Sequence, residues 1–599
     1  MRTIIKYFSV WCVLTLTATG CGGGSAQETE VAPTNQHATD NTEITEPSQP
    51  IAVDNVFATP QSTASFLHQT TFGATPQQLN TLVGTSASKW FIDQIALKPS
   101  LKMSSVAKYT PEDGGFNTLF VESTSIGFWQ DAITGEDQLR QRVAFALSEI
   151  LVVSNAGGDE LTDIPAAVAR FQDILIEHAF GNYRELIEAV TYSPAMGTYL
   201  TYLGNQKGDE QTGRMPDENY AREILQLFTL GLVELNPDGS EKRDRNDQAI
   251  ELYTNKDITG LARVFTGLVL DESGAEQAAQ EEYALPMVGD PELHSTKAKS
   301  FLGYTIAAGT DVNQSITLAL DHIFSHSNVG PFVVKQLIQR LVTSNPSPSY
   351  VARAVESFDS GSYVLPDGTK VGANQRGDLT ATIAAIIFDK EARSEKTARS
   401  GKLREPILRF TQWARAFEVK NITPEYQEPL WDTRSANALN QHPYRSSSVF
   451  NFFRPGYSAP GTLISQNQLV APEFQITNAS SIPGYINFMT YYIFGYQQDV
   501  DVADLQADYN AENIPLDARQ AVYSFLADYE YELTLADDPK ALLAHLNLLL
   551  SADQLTEHTV NKITQILETL PMEEPQDSLI RVQWAILLVM TSADYLIQK

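Results

Sequence analysis

Disulfide bonds have no part in holding this chain together. Its 599 residues include two cysteines, Cys12 and Cys21, and Cys12 lies in a stretch that reads as a removable leader, so a single thiol would remain. Positive charge is scarce as well. There are 42 Lys and Arg against 73 Asp and Glu, a balance of −31, and removing Arg2 and Lys6 with the leader makes it −33. Such a field repels phosphate backbones, so nucleic acid is not an expected partner. Also missing are a glycine-rich dinucleotide fingerprint, a complete phosphate loop, a His-Glu-x-x-His helix and a Gly-x-Ser-x-Gly elbow. Ser400-Gly401-Lys402 matches only the tail of a phosphate loop, with Lys396 where the earlier glycine belongs. No cofactor is called for. After the first 20 residues no apolar run has the length of a membrane span. No sequence period repeats either, which argues against a solenoid.

What is present begins with an address. Arg2 and Lys6 precede an apolar run through Val10, Trp11, Val13, Leu14 and Leu16, the layout of a secretory signal. The run ends at Ala18-Thr19-Gly20-Cys21, which resembles a bacterial lipobox, so residues 1–20 are expected to be a lipoprotein signal and Cys21 the point of lipid attachment. Gly22 stands where an aspartate would retain a lipoprotein in the inner membrane, so the expected destination is the outer membrane. Residues 21–56 are rich in Gly, Pro, Thr, Asn and Glu without apolar periodicity and read as a disordered linker. A linker of that length spreads about 30 Å, so the body at 57–599 is expected to be held loosely near a bilayer. With 43% hydrophobic residues the body has enough apolar chain to build a large core.

Within the body helix signals dominate. The expected fold is mainly α, a large multi-helix array with a few short β-hairpins. Asp137–Ser154 places Leu139, Val143, Leu147, Ile150 and Leu151 on one face, with further apolar residues on the others, so this helix is expected to be buried nearly all round. Its narrow polar strip, Arg142 and Glu149, must pair with neighbours or line a cleft. Asn182 with Glu185, and Thr254 with Asp257, have the spacing of helix starts. Pro216 and Gly231 bracket another helix. Further helices are expected at 315–325, 329–342, 348–358, 379–388, 403–417, 516–529, 539–550, 552–570 and 577–596. Pro-Asp-Gly turns predict hairpins at 363–371 and 232–253.

Candidate chemistry is sparse. In Pro216-Asp217-Glu218-Asn219-Tyr220-Ala221-Arg222-Glu223, Glu218 and Arg222 read as a solvated i,i+4 pair. Glu223 and Asn219 flank the buried stripe, where a carboxylate would be partly desolvated. Glu223 is thus a candidate acid or base, with Arg222 or Arg263 to stabilise negative charge, although buttressing of a loop is the simpler use. His322 and His326 lie four apart beside Asp321 and form a weak candidate zinc pair. The run His442 to Tyr457, dense in aromatics, serves either to stack on a sugar ring or to anchor an irregular loop.

The stretches FLHQTTFGAT from Phe66, QLRQRVAFALSEI from Gln138, GNYRELIEAVTYSPAMGTYL from Gly181, PDENYAREILQLFTLGL from Pro216 and SVFNFFRPGYSAPG from Ser448 resemble the bacterial family called domain of unknown function 1800. The resemblance covers the chain from about Phe57 onward. It implies a helical, exported protein without an agreed activity, and a possible partner in an exported sulfatase-like protein. Some members carry Phe-Trp-His in the helix where this chain has Ala146-Leu147-Ser148, so histidine chemistry proposed for them does not carry over. The sequence therefore points to a membrane-tethered binding or assembly protein of the cell envelope, with a carboxylate-based hydrolase as the alternative.

Overall fold

Helices cap themselves in this chain. In the computed structural model, which describes residues 56–111, 115, 117–156, 160–273, 280–393, 399–419, 428–495 and 527–599, Thr254 and Asp257 close a capping box on the helix Asn255–Ala262. The Asn182 side chain accepts from Arg184 N–H to start Tyr183–Thr191, and Asp378 accepts from Ala381 N–H to start Leu379–Phe388. Each side-chain oxygen satisfies an amide that has no intrahelical partner. The signal at 1–20, Cys21, the linker up to residue 55 and most of the expected helix 516–529 lie outside the described residues.

The described residues fall in one unit, Ala52–Lys599, and are mainly α-helical with short two-stranded antiparallel sheets. Among them, no helix is long and apolar enough to cross a membrane. Leu379–Phe388 is apolar on every side and buried at all positions but Thr380. It packs against the helix Pro348–Ser360, which in turn packs against Val329–Leu341. Gln138–Ser148, buried at every residue, packs on Thr118–Thr134, Pro165–Glu177 and Val329–Leu341. It is shorter than the expected Asp137–Ser154, because Ile150 and Leu151 turn back to bond the Leu147 carbonyl.

Buried arginines finish what the caps begin. The last carbonyls of a helix lack intrahelical donors and carry the negative end of its dipole. Arg140 donates to the Ile176 carbonyl, Arg142 to Arg340, Arg415 to Ile133 and Arg404 to Leu550. These carbonyls sit in the closing turns of Pro165–Glu177, Val329–Leu341, Thr118–Thr134 and Pro539–Ser551. Four of the scarce positive charges therefore lie inside, bracing helix ends from a neighbouring element.

The strands are brief. Tyr363–Val364 pairs with Lys370–Val371 around Pro-Asp-Gly, as expected. Residues 232–253 form two turns joined by bridges at Leu235↔Glu241, Arg243↔Ala249 and Val233↔Glu251. Three pairs are not evident from the sequence: Leu268–Val269 with Val288–Gly289, Lys299–Phe301 with Tyr304–Ile306, and Lys402–Leu403 with Ile597–Gln598. The last pair shortens the expected helix 403–417 to Pro406–Ala416, because Leu403 is in the strand and Arg404 N–H bonds Leu596 O.

Candidate functional site

The helix expected from Pro216 starts three residues later, at Asn219, because Asp217 turns its carboxylate back onto the Asn219 N–H at 2.7 Å. It continues as a π-helix over Ile224–Thr229, and Gly231 follows in the left-handed region at φ 79°. Arg222 pairs with Glu218 at 3.4 Å, both partly solvated, Arg263 donates to the Ala298 carbonyl, and Asn219 is exposed. Glu223 is buried with Oε2 free of any partner, as is the Oη of Tyr253. Burial raises the Glu223 pKa, against the pull of Arg222. Of the four, Arg222 thus acts on Glu223 through its charge, while Arg263 is engaged at the Ala298 carbonyl. His322 lies flat on Tyr304, ring centroids 4.7 Å apart, and donates to Leu302 O, while His326 accepts from Asn328 N–H. Among the described residues, no group of three or more His, Cys, Asp or Glu side chains could hold a metal ion.

The aromatic run from His442 is built as an anchor. His442 Nδ1 accepts from Thr433 N–H, which leaves Nε2–H to donate to Ser125 Oγ at 3.0 Å. A histidine in that tautomer cannot take the serine proton, so Ser125 and His442 are no nucleophile and base. Tyr444, at φ 56°, meets Phe128 and Phe171 edge-on. Arg445 pairs with Glu122 at 2.6 Å, and Arg454 covers the Phe450 ring. Asn451 takes φ 59°, a conformation asparagine tolerates better than most residues, and its Nδ2 donates to Glu149 Oε1 at 3.0 Å.

Glu149 leads into a buried ionic cluster. Arg142 and Glu149, the polar strip read from the sequence, meet Arg340, Lys402, Glu405 and Glu473, all six buried. Lys402 Nζ donates to Glu405 Oε1 at 3.1 Å, to the Arg340 carbonyl at 2.6 Å, and pairs with Glu473 at 3.2 Å. Gln441 Nε2 donates to Glu405 Oε2 at 2.9 Å. Arg340 Nε stands 3.7 Å from Glu149 Oε2, and Arg340 Nη2 donates to the Glu149 carbonyl.

The two carboxyls Glu149 and Glu405 act on each other inside the cluster, and a proton on one of them relieves the repulsion. Burial, and then the charge of Glu405, push Glu149 up to about 8 against the pull of Arg340 and Lys402. Burial acts upward on Glu405 too, but Lys402, Arg142, Gln441 and Glu149 outweigh it and hold Glu405 below its ordinary value. At neutral pH Glu149 is the acid and Glu405 the carboxylate. Glu149 Oε2 has no hydrogen-bond partner, with Arg340 Nε 3.7 Å away.

A narrow crevice opens beside Glu149, lined by Ser148, Gln441, His442, Tyr444, Asn451 and Phe452 among others. Its volume of about 10 Å³ has room for about one water. A second recess is far larger. A groove of about 800 Å³ is walled by Leu232 and Val233, Pro331 and Phe332, Pro455 and Val470. Leu232 there is 57% exposed.

Sequence reasoning singled out Arg142 and Glu149 but not Lys402, Glu405, Arg340 or Glu473. The available signal was charge inside apolar runs, as in Arg340 of VVKQLIQRL.

A family model described as "Protein of unknown function (DUF1800)" matches residues 65–597. No curated protein matches the chain, and no solved structure does.

Proposed function

Because the chain belongs to the DUF1800 family of proteins of unknown function, we propose a role in place of a reaction: an exported lipoprotein, held by a lipid on Cys21 in the outer membrane, that binds or assembles a partner of the cell envelope. The partner we favour is an exported sulfatase-like protein. The groove beside Leu232 is the observation that carries this reading. It is an open apolar recess of the size that binding sites occupy, and two of the stretches that mark the family, ending at Leu232 and running through Pro455, both border it. Glu391, one of its carboxylates, is already occupied by the Ser347 N–H and hydroxyl.

The test is capture from detergent-solubilised envelope, comparing the natural chain with Leu232→Asp. The reading expects a sulfatase-like protein bound by the first and depleted with the second. Recovery of no specific protein or glycan would count heavily against it. Mass spectrometry of the mature N-terminus decides the tether separately, since a first residue without acyl chains removes it.

The second reading is a hydrolase with a carboxylate acid or base. Glu223 supports it, being buried with an unpartnered oxygen and a raised proton affinity. A panel of chromogenic esters, glycosides and phosphate esters tests it. Turnover abolished by Glu223→Gln is the expected result, and no turnover by the natural chain overturns it.

A further inference from the structure

The interior around Lys402 holds more positive charge than it can pair. Two further arginines adjoin the cluster: Arg409, which feels Glu473 and Glu405, and Arg404, whose carbonyl accepts from Arg409 Nε at 2.8 Å. Arg142, Arg340, Lys402, Arg404 and Arg409 are all buried, as are Glu149, Glu405 and Glu473. Four of these cations, Arg142, Arg340, Lys402 and Arg409, face the three carboxyls, an excess of at least one charge even if every carboxyl is ionised. Buried charge without a partner is costly.

Two of the arginines have other cover. Arg404 lies over the Tyr595 ring at 4.7 Å and Arg409 over the Tyr485 ring at 4.9 Å. Arg142 and Arg340 are less complete. Arg142 gives Nη2 to the Arg340 carbonyl at 2.7 Å, while its Nε and Nη1 have no acceptor. Arg340 gives Nη1 to Gln336 O and Nη2 to Glu149 O, while its Nε has none. Three guanidinium nitrogens on two adjoining, buried arginines, Nε and Nη1 of Arg142 and Nε of Arg340, therefore have no hydrogen-bond acceptor. Unfilled buried donors call for an unseen water or ion, and the charge excess selects between the two.

We propose that Arg142 and Arg340 form the walls of a binding site for a small inorganic anion of halide size, which completes the charge balance of the core. Burial raises the proton affinity of Glu149 beside Arg340, which lessens its repulsion of such an ion. Glu473 Oε2, also unpartnered, sits on the Lys402 side, where Lys402 already offsets it.

The experiment is thermal unfolding of the full chain at fixed ionic strength and pH, with chloride or bromide exchanged for gluconate, which is too large to enter. An ion bound only by the folded chain raises the midpoint by about 1 °C for each tenfold rise in free halide above its dissociation constant, for a body of this size. Arg142→Gln removes the response. Glu149→Gln, which keeps a neutral group in place, retains it. Should Arg142→Gln fail to fold, anomalous scattering from bromide-grown crystals of the natural chain decides, with a peak between Arg142 and Arg340 expected. Equal midpoints in halide and gluconate, or water alone at that position, overturn the proposal.

Discussion

Asn451 donates its amide to Glu149 Oε1 across 302 positions of sequence. That bond joins the irregular aromatic loop to the end of the buried helix Gln138–Ser148, and it fixes Oε1 of Glu149, leaving Oε2 as the oxygen paired with Arg340.

Because Asn451 holds φ 59°, its two simplest replacements should differ. Asn451→Gly loses the hydrogen bond but not the conformation. Asn451→Ala loses the bond and also pays the left-handed penalty, about 1–2 kcal/mol. Chemical denaturation should rank natural above Gly above Ala, and Ala as stable as Gly would show that the backbone is not held as described.

The carboxyl pair should respond unevenly to neutralisation. Glu149→Gln replaces a neutral acid with a neutral amide of the same shape, so a loss under about 1 kcal/mol is expected at neutral pH. Glu405→Gln strips the carboxylate from Lys402 and Arg142, and breaking such a buried pair costs about 3–5 kcal/mol. Equal losses in the two variants would refute the assignment of the proton to Glu149.

The same proton sets a pH slope. An unfolded glutamate releases its proton near 4.5, whereas Glu149 in the fold keeps it to about 8. Between those values the native state binds the extra proton, so this group's contribution to stability falls as pH rises, by up to ~1.4 kcal/mol per unit, and levels off above about 8. The difference in unfolding free energy between the natural chain and Glu149→Gln, followed from pH 5 to 9, should shrink and then favour Gln. A flat difference would contradict it.

Two glycines, one in a helix that packs on a hairpin and one in the turn of that hairpin, separate collision from strain. A Cβ on Gly260 would lie 1.8 Å from Ser300 O, whereas Gly303, at φ 73°, faces open space. Gly260→Ala must drive the helix Asn255–Ala262 off the strand Lys299–Phe301, at about 3 kcal/mol or more. Gly303→Ala costs only backbone strain, about 1 kcal/mol. Similar melting points for the two would mean that the helix and strand are not in contact as described.

Where a local rule decides the outcome, the sequence was a good guide. Leu379–Phe388 has the bounds expected of an apolar run behind an aspartate cap, and the Thr254 box is formed as read. Where a distant element decides, it was not. Two-residue strands are too short to alternate, and Lys402–Leu403 is a strand only because Ile597–Gln598 lies beside it. The ionic cluster shows the same limit. Arg142 and Glu149 lie on one helix and its C-cap and were visible as a strip, whereas Arg340, Lys402 and Glu473 come from separate stretches that only packing unites.

The pairing of Lys402–Leu403 with Ile597–Gln598 has a bearing on fragments. Any polypeptide stopped short of position 597 lacks the edge that seats Lys402, and it is left with a cationic interior it cannot close. Such products should remain open to proteases at the heart of the body and not merely at a frayed tip, so that Ile597 and Gln598 act as a clasp on the ionic interior.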